Sequence, residues 1–403
     1  MPSYQYIAKR LNGETVKGTR QASSLKELAH LLKTDGCFLV SADIEEEKQG
    51  LARFIPKLKY IPISQKLLVT QNLQVLVAAG VSLPHSIDVL EKQTKSRYFK
   101  NVLKEVRELI LKGSSLSEAL AEFPEVFSDI YVNLVKVGEK TGNLEGVLGI
   151  LTKQLDRSYQ LRSRTRGAML YPAVVISTLI LIGTAMMIKV VPQLSQTFEE
   201  LEVELPPLTK FVIAFGEFFA NQWLLLFSIL MLSGVIFYFV LKSAPGKKVF
   251  HKVILKLPIL GPLVKKINAA YTAMSLSALV QGGVSIVSAI NIASDSVGNF
   301  YYKQALKDMA LKVEKGKKLS KLIGEYNGLY SPLFVQMLQV GEETGTMGKM
   351  LLKLSEFYEG QVNNTTKNLS SIIEPILLLL VGAAVGLFAI SVFQPIYSIM
   401  SSM

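Results

Sequence analysis

Three residue types are scarce in this 403-residue sequence, which has one cysteine, one tryptophan and three histidines. Cys37 has no partner for an internal disulfide, so we expect a small buried residue there. The histidines, His30, His85 and His251, stand far apart and lack the spacing of a zinc site. The sequence therefore predicts neither a disulfide framework nor a metal centre.

Catalytic motifs are also missing. The chain contains no GxSxG and no HExxH pattern. Residues 345–350, GTMGKM, superficially resemble a phosphate-binding loop, but Glu343 stands where such a loop requires its first glycine. A related segment, GNLEGV at 142–147, has no lysine. We therefore predict that the protein is not an enzyme and binds no nucleotide or other cofactor.

Apolar stretches, by contrast, are abundant. Hydrophobic residues make up 49% of the chain, and its mean hydropathy is +0.33. About 20 apolar residues in a helix cross a bilayer, and on this basis we predict transmembrane helices at 169–191, 223–241 and 373–400. Pro395 could end or kink the third. The N-terminal residues MPSYQYIAKR lack the apolar core of a cleaved signal peptide, so membrane insertion is expected to rely on these spans.

The placement of charge predicts how the spans are oriented. The net charge is +12, and basic residues cluster before the first span and after the second, whereas 192–222 is acidic. Positive loops stay in the cytoplasm, so we predict a cytoplasmic N-terminus, an outer loop at 192–222 and a cytoplasmic segment at 242–372. The charges used are Arg157, Arg162, Arg164, Arg166, Lys242, Lys247, Lys248, Lys252 and Lys256 on the basic side, and Glu199, Glu200, Glu202, Glu204 and Glu217 on the acidic side.

Two other classes of function fit this charge pattern less well. No basic patch with interleaved aromatic residues is present, so no nucleic-acid partner is predicted. Charges inside a membrane mark transport paths, but Lys189 and Glu374 lie near the ends of their spans, where a lysine can reach the interface. The spans are therefore interpreted as anchors in the lipid bilayer.

An internal repeat organises the rest of the chain. GEKTG at 138–142 and GEETG at 341–345 lie 203 positions apart (341 minus 138). AGVS at 79–82 and GGVS at 282–285 have the same offset (282 minus 79). One offset that holds over about a hundred residues without a gap indicates a duplicated domain.

Both copies have apolar residues at helical spacing. We predict that 65–168 and 268–371 form homologous cytosolic bundles of five or six helices. A Ser-x-x-Glu capping pattern at Ser115 and Glu118 predicts the start of one helix in the first copy. Between the second span and the second copy, 242–267 is a basic cytosolic connector.

The N-terminal residues, 1–48, predict a small α/β domain. Alternating residues form two strands joined at Asn12-Gly13, and a helix ended by Gly36 leads to a third strand. The segment 49–64 mixes basic and apolar residues. It is either an ordinary linker or a segment that lies on the membrane surface. The predicted fold is thus a mainly α integral membrane protein with two homologous cytosolic helical bundles, three transmembrane helices and a small α/β N-terminal domain.

The repeated pentapeptide is interpreted as a corner between two helices. Gly138 would close one helix in a left-handed cap, Thr141 would cap the next, and Gly142 would relieve the turn. The alternative is that Glu139 and Glu342 form a protein contact or a cation site. The residues singled out as structural are Gly80, Gly138, Glu139, Gly142, Pro172, Gly283, Gly341, Glu342, Gly345 and Pro375.

These motifs and their order resemble the integral inner-membrane platform proteins of type II secretion and type IV pilus machines, the F family. The likeness covers nearly the whole chain, and Glu374, where the first copy has Tyr171, is a small departure. The matching motifs are AGVSLP (79–84), VGEKTGNL (137–144), RGAMLYP (166–172), VVPQLSQTF (190–198), LPPLTK (205–210), GGVSIV (282–287) and VGEETGTM (340–347).

The resemblance implies a place beneath a growing filament in the bacterial cytoplasmic (inner) membrane. The cytosolic bundles would contact a hexameric assembly ATPase, and the spans would meet pilin or pseudopilin subunits and other inner-membrane assembly proteins. A homo-oligomer, dimer or larger, is also implied. A membrane-anchored scaffold or a small transport subunit unrelated to filaments is the alternative, and polar groups at mid-span would favour transport.

Overall fold

The computed structural model describes residues 3–10, 15–23, 25–34, 36–45, 61–200, 206–258, 260–326 and 328–402. It divides into two compact units, 1–60 and 61–403, which are treated separately. The predicted turn at Asn12-Gly13 and most of the predicted linker lie outside the described residues.

The N-terminal unit is a three-stranded antiparallel sheet with one helix. Its elements are β1 (Ser3–Arg10), β2 (Thr15–Gln21), α1 (Leu25–Thr34) and β3 (Cys37–Glu45). The strand order is β2-β1-β3, so both neighbours pair with β1. Leu28 and Leu32 of α1 are buried with Tyr4, Ala8 and Cys37. The predicted strands, helix and buried cysteine are therefore confirmed.

The second unit begins with a bundle of helices. They are α2 (Ile63–Ala78), α3 (Leu83–Gln93), α4 (Arg97–Leu111), α5 (Leu116–Ala121), α6 (Asp129–Thr141) and α7 (Leu144–Ala185). Ser115 caps α5 as predicted: its hydroxyl accepts from the N–H of Glu118, whose carboxylate in turn accepts from the N–H of Ser115. A short polar side chain before an apolar run thus sets the start of this helix.

After the first bundle, the chain forms a π-helical segment (Met186–Val190), α8 (Val191–Glu200), α9 (Pro207–Asn221), α10 (Trp223–Lys242) and α11 (Ala244–Lys256). The second bundle follows with α12 (Leu260–Gln281), α13 (Ile286–Ser296), α14 (Phe300–Glu314), α15 (Leu319–Glu325), α16 (Pro332–Thr344) and α17 (Met347–Ser402). Helices α13 to α17 start 203 positions after α3 to α7, as the repeat predicts.

The two bundles bury the same repeat positions. Phe99 and Tyr302 are both completely buried, and so are Leu148 and Leu351. Burying a side chain of this size stabilises a fold by about 1.5–3 kcal/mol. The buried residues of both bundles also form one continuous hydrophobic cluster. The duplicated domains are therefore packed against each other through a shared core.

Two helices run from the bundles into apolar sequence without a break. The first is helical from Leu144 to Thr197, and the second from Met347 to Gln394, and both are long and apolar enough to cross a membrane. Pro395 does not end the second, because α17 continues to Ser402. In the second predicted span, 223–241, the apolar stretch found among the described residues, Met231–Lys242, is shorter than a crossing requires. The second crossing therefore stays a prediction.

The segment 192–222, predicted as an outer loop, is largely helical where the structure describes it. Helix α9 packs against the π-helical segment, and Val212 and Ile213 are buried with Val191. A Cβ on Gly216 would lie 2.5 Å from Cγ1 of Val191, so the glycine permits this close approach. The Thr209 hydroxyl donates to the Ser391 carbonyl of α17 at 2.9 Å. The segment is helical rather than irregular because α9 buries one apolar face on neighbouring helices. Its location outside the membrane stays a prediction.

Candidate functional site

The first GExTG corner joins α6 to α7, and the second joins α16 to α17. Gly142 and Gly345 end the first helix of each pair in the left-handed conformation, with φ of 67° and 68°. A residue without a Cβ adopts this conformation without strain. The predicted left-handed cap is therefore present, but at the second glycine of the motif rather than at Gly138.

Gly138 and Gly341 lie inside their helices, where the next helix passes close by. A Cβ on Gly138 would lie 3.1 Å from Cα of Leu144, and one on Gly341 would lie 3.0 Å from Cα of Met347. Both glycines are buried. They let the two helices of each corner approach backbone to backbone, and this spatial role could not be read from the pentapeptide alone.

The predicted cap by Thr141 is also wrong. The Thr141 hydroxyl donates back to the Val137 carbonyl at 2.8 Å, within its own helix. Asn143 caps α7 instead, because its side-chain oxygen accepts from the N–H of Gly146 at 3.1 Å. The left-handed residue lies between Thr141 and the next helix, which leaves Asn143 in the capping position.

The acidic residue of each motif binds the start of another helix. The Glu139 carboxylate accepts from the N–H groups of Leu116 at 2.5 Å and Ser117 at 3.1 Å, at the first turn of α5. These N–H groups have no partner within the helix, and a negative charge there is favourable. Leu116 and Ser117 are almost completely buried, so the carboxylate replaces the water they would otherwise bind.

The second copy repeats this arrangement. Glu342 accepts from the N–H groups of Leu319 at 2.6 Å and Ser320 at 3.3 Å, and from the Ser320 hydroxyl. Both carboxylates are thus engaged in linking helices within a bundle. Among the described residues, no group of three or more His, Cys, Asp or Glu side chains could hold a metal ion.

Gly80 and Gly283 end α2 and α12 in the same way. Their φ values are 76° and 87°. The N–H of Gly80 donates to the Val77 carbonyl, and that of Val81 to the Leu76 carbonyl, which completes the C-terminal turn. The prediction that Gly80 ends its helix is confirmed.

The residue before this glycine differs between the copies, with Ala79 in the first and Gly282 in the second. A Cβ on Gly282 would overlap the Leu134 side chain of the first bundle, which is completely buried. The glycine is therefore required at a contact between the bundles. The repeat reveals the difference, but only the structure supplies its reason.

Pro172 and Pro375 occupy equivalent positions inside the two long helices. Pro172 is buried in α7, whereas Pro375 is exposed in α17. A proline has no N–H to donate within the helix. The helices continue through both prolines, so each marks a locally weakened point near the start of the apolar stretch.

Arg157 is a residue that the sequence pattern did not single out as a contact. Its guanidinium donates to Glu356 at 3.1 Å and to Glu359 at 3.3 Å, and so joins α7 to α17. The Arg157 hydrogen bond holds the pKa of the Glu356 carboxyl below its usual range. The equivalent of Arg157 in the second copy is Gly360, so this ion pair exists once and breaks the symmetry of the repeat.

The described residues thus form two bundles whose corners are built by glycines and capping carboxylates. Each corner leads directly into the helix that reaches the apolar segment. The carboxylates are occupied by helix N–H groups rather than facing a cleft. This arrangement connects helices within each bundle.

Comparison with known proteins gives matches over most of the chain. The family model described as type II secretion system (T2SS), protein F matches twice, at 69–192 and 272–395. The model of the N-terminal domain of type II secretion system protein F matches 1–43. The two larger matches begin at the same offset as the internal repeat.

Curated relatives align with the chain almost end to end. A type IV pilus assembly protein PilC from Thermus thermophilus is 32% identical over 100% of this chain and 99% of its own length. One of the same name from Myxococcus xanthus is 28% identical over 98% and 94%. A type II secretion system protein F from Xanthomonas campestris is 28% identical over 99% of both.

Proposed function

Because the chain belongs to the type II secretion system protein F family, we propose that it couples a cytosolic assembly ATPase to the insertion of filament subunits into a growing filament. The chain is a platform protein of the pilus and type II secretion type, as its relatives' names indicate. The subunits would be pilins or pseudopilins. Other inner-membrane assembly proteins would complete its set of partners.

The continuity of helices α7 and α17 carries this proposal. The helix that begins at Leu144 in the first bundle stays helical to Thr197, over 54 residues. At 1.5 Å per residue, this is a rod of about 80 Å. A displacement of the bundle would reach the apolar segment through a packed helix rather than a flexible linker. The second bundle is connected in the same way by α17.

The shared core supports movement of both bundles together. Arg157 ties α7 to α17, and Gly282 lets α12 approach Leu134 of α6. A force applied to one bundle would therefore be felt by both long helices. We propose that the ATPase contacts the cytosolic bundles and that filament subunits contact the apolar helices.

A pilus is favoured over a secretion pseudopilus as the first candidate. Two relatives that are 32% and 30% identical are named type IV pilus assembly proteins. Relatives named type II secretion system protein F are 26–28% identical, and further pilus assembly relatives fall in the same range. This difference is small, so the experiment must address both machines.

We place the chain in the bacterial inner membrane as a multi-pass protein. Its N-terminus and both bundles would face the cytoplasm, since basic residues flank the predicted spans on that side. The proposed domain boundaries are those predicted from the sequence, with spans at 169–191, 223–241 and 373–400. We propose a homo-oligomer, dimer or larger, with a structural rather than an enzymatic role.

The test is electron microscopy of surface filaments in a strain deleted for the gene, beside a complemented strain. We expect filaments to be lost on deletion and restored on complementation. Unchanged filaments with a loss of secreted proteins would assign the chain to type II secretion instead. If filaments and secretion are both unchanged, the proposal is wrong, and a scaffold of another kind becomes the better explanation.

A second experiment tests coupling itself. In-cell photo-crosslinking from probes on the exposed surfaces of the bundles should capture an ATPase, and probes on the apolar helices should capture filament subunits. Probes placed at buried positions such as Leu134 provide the matched background. Capture of neither partner in an assembling strain would contradict the coupling mechanism while leaving family membership intact.

A further inference from the structure

Helix α11, which follows α10 directly, has one face packed onto the second bundle. The His251 ring accepts through Nδ1 from the N–H of Phe300 at 2.9 Å, and Asn299 donates to the His251 carbonyl at 3.4 Å. Leu255 packs against the shared hydrophobic core. These contacts hold α11 in one orientation, so its remaining faces point in defined directions.

The opposite face of α11 is apolar and exposed. Val249 and Val253 lie one turn apart on this face, and Leu257, the first residue after the helix, continues the stripe. Their exposed fractions are 63%, 52% and 41%, and Phe250 beside them is 39% exposed. Single exposed apolar residues are ordinary, but an aligned stripe with charged borders marks an interaction surface.

Lysines border this stripe. At 100° per residue, Lys252 and Lys256 fall on one side of it and Lys247 on the other, with Lys248 towards the bundle. All four are exposed, and α11 contains no acidic residue. An apolar face with lysine borders and low net hydrophobicity is typical of helices that lie in the membrane interface.

The chain places this surface where α10 ends. Ser243, in an extended conformation, is the only residue between the two helices. Gly246 packs against the Val240 carbonyl, so the first turn of α11 lies beside the last turn of α10. If α10 crosses the bilayer, α11 therefore begins at the level of the lipid headgroups, on the side that the basic residues indicate.

We propose that α11 is a binding site for anionic phospholipids on the cytoplasmic surface of the membrane. Val249, Val253 and Leu257 enter the bilayer between headgroups, and Lys247, Lys252 and Lys256 bind lipid phosphates. The inference rests on the proposed membrane position of α10. This site attaches the second bundle to the bilayer surface, in addition to its connection to the apolar segment through α17.

The experiment measures the depth of single probes in the full chain. In a Cys37→Ser background, Val253→Cys carries an environment-sensitive NBD label, and the chain is reconstituted in nanodiscs of phosphatidylcholine with or without phosphatidylglycerol. Val235→Cys in α10 is the membrane control. Leu311→Cys in α14, 59% exposed, is the aqueous control. Quenching by lipids with a spin label near the headgroup reports insertion at 253, and quenching by lipids with a spin label on the acyl chain reports the deeper position 235.

We expect the probe at 253 to be quenched in discs that contain phosphatidylglycerol, and the probe at 311 to stay unquenched. Replacing Lys252 and Lys256 with glutamine should lower the ratio of inserted to exposed probe by about fivefold per lysine, because each basic residue near an anionic surface contributes about 1 kcal/mol. Added salt should have a similar effect.

Four outcomes would overturn the inference. If the probe at 253 stays unquenched like the one at 311 while the probe at 235 is quenched, α11 does not bind lipid. The span formed by α10 would then still stand. If quenching at 253 is the same with and without phosphatidylglycerol and is unchanged in the lysine variants, the site does not select anionic lipid. An unquenched probe at 235 removes both the inference and the predicted span. Protection at 253 that is lost in nanodiscs holding a single copy of the chain would assign the stripe to a second copy instead.

Discussion

Replacement of Glu342 by glutamine tests the role of the corner carboxylates. Glu342 accepts from two backbone N–H groups at the start of α15 and from the Ser320 hydroxyl. Glutamine keeps one acceptor oxygen but turns an NH₂ group towards a donor. A hydrogen bond to a charged group contributes about 1.5–3 kcal/mol. With one such bond lost and a donor left unpaired, we expect α15 to be destabilised by about 2–3 kcal/mol.

The neighbouring residue provides a matched control. Glu343 is exposed and contacts only the Gln339 side chain of its own helix among the hydrogen bonds described, at 2.8 Å. Glu343→Gln makes the same change of charge one residue away. Its effect should stay within about 0.5 kcal/mol, as for most surface substitutions.

The assay is hydrogen exchange with mass spectrometry on the full chain in nanodiscs. Backbone N–H groups in α15 (Leu319–Glu325) should exchange about 30- to 150-fold faster in Glu342→Gln, which corresponds to 2–3 kcal/mol of local opening. The equivalent helix of the first bundle, α5, should be unchanged and serves as an internal reference. If exchange in α15 is the same for both variants, the carboxylate does not hold the helix and the reasoning is refuted.

Further changes address three other contacts. Gly142→Ala should lower the melting temperature in detergent by the equivalent of about 1 kcal/mol, because alanine is strained in the left-handed conformation. Gly142→Val should also impair filament assembly. An unchanged melting curve and intact filaments would contradict the role of Gly142 in shaping the corner. Gly282→Ala should cost about 1–3 kcal/mol through overlap with Leu134, and Leu134→Ala in the same chain should recover part of that loss in a double-mutant cycle. Arg157→Ala should cost under about 1 kcal/mol at neutral pH, because Glu356 is partly exposed. The pKa of Glu356 is lowered on folding from its ordinary value of 4.5, so the ion pair stabilises the fold fully above pH 4.5 and loses this contribution as the pH falls below it. The melting temperatures of the unsubstituted chain and Arg157→Ala should therefore converge in acid, and a difference that persists there would contradict this.

Much of the fold could be predicted because its signals are local. The offset of 203 positions, the apolar period of the helices and the glycines at their ends each depend on neighbouring residues. Gly80 ended its helix as predicted, and Ser115 began one, because backbone preferences near these residues hold whatever surrounds them. The three-stranded N-terminal sheet followed from alternation in the same way.

The GExTG corner was predicted only in part. Its turn was expected, but Gly138 and Gly142 exchanged roles, and Asn143 rather than Thr141 caps the next helix. Either glycine could locally adopt a left-handed conformation. The choice depends on where the next helix passes, since only Gly138 lies where a Cβ would press on Leu144.

The sequence by itself determined that the chain has a duplicated helical domain, apolar helices of membrane length and the motifs of its family. Those properties are carried by residues a few positions apart, whose spacing sets which face of a helix is apolar. Only the tertiary structure decided that Glu139 and Glu342 bind the starts of other helices, that Gly282 faces Leu134 and that Arg157 pairs with Glu356. These contacts join residues between about twenty and two hundred positions apart, and they depend on how the helices pack rather than on any local preference.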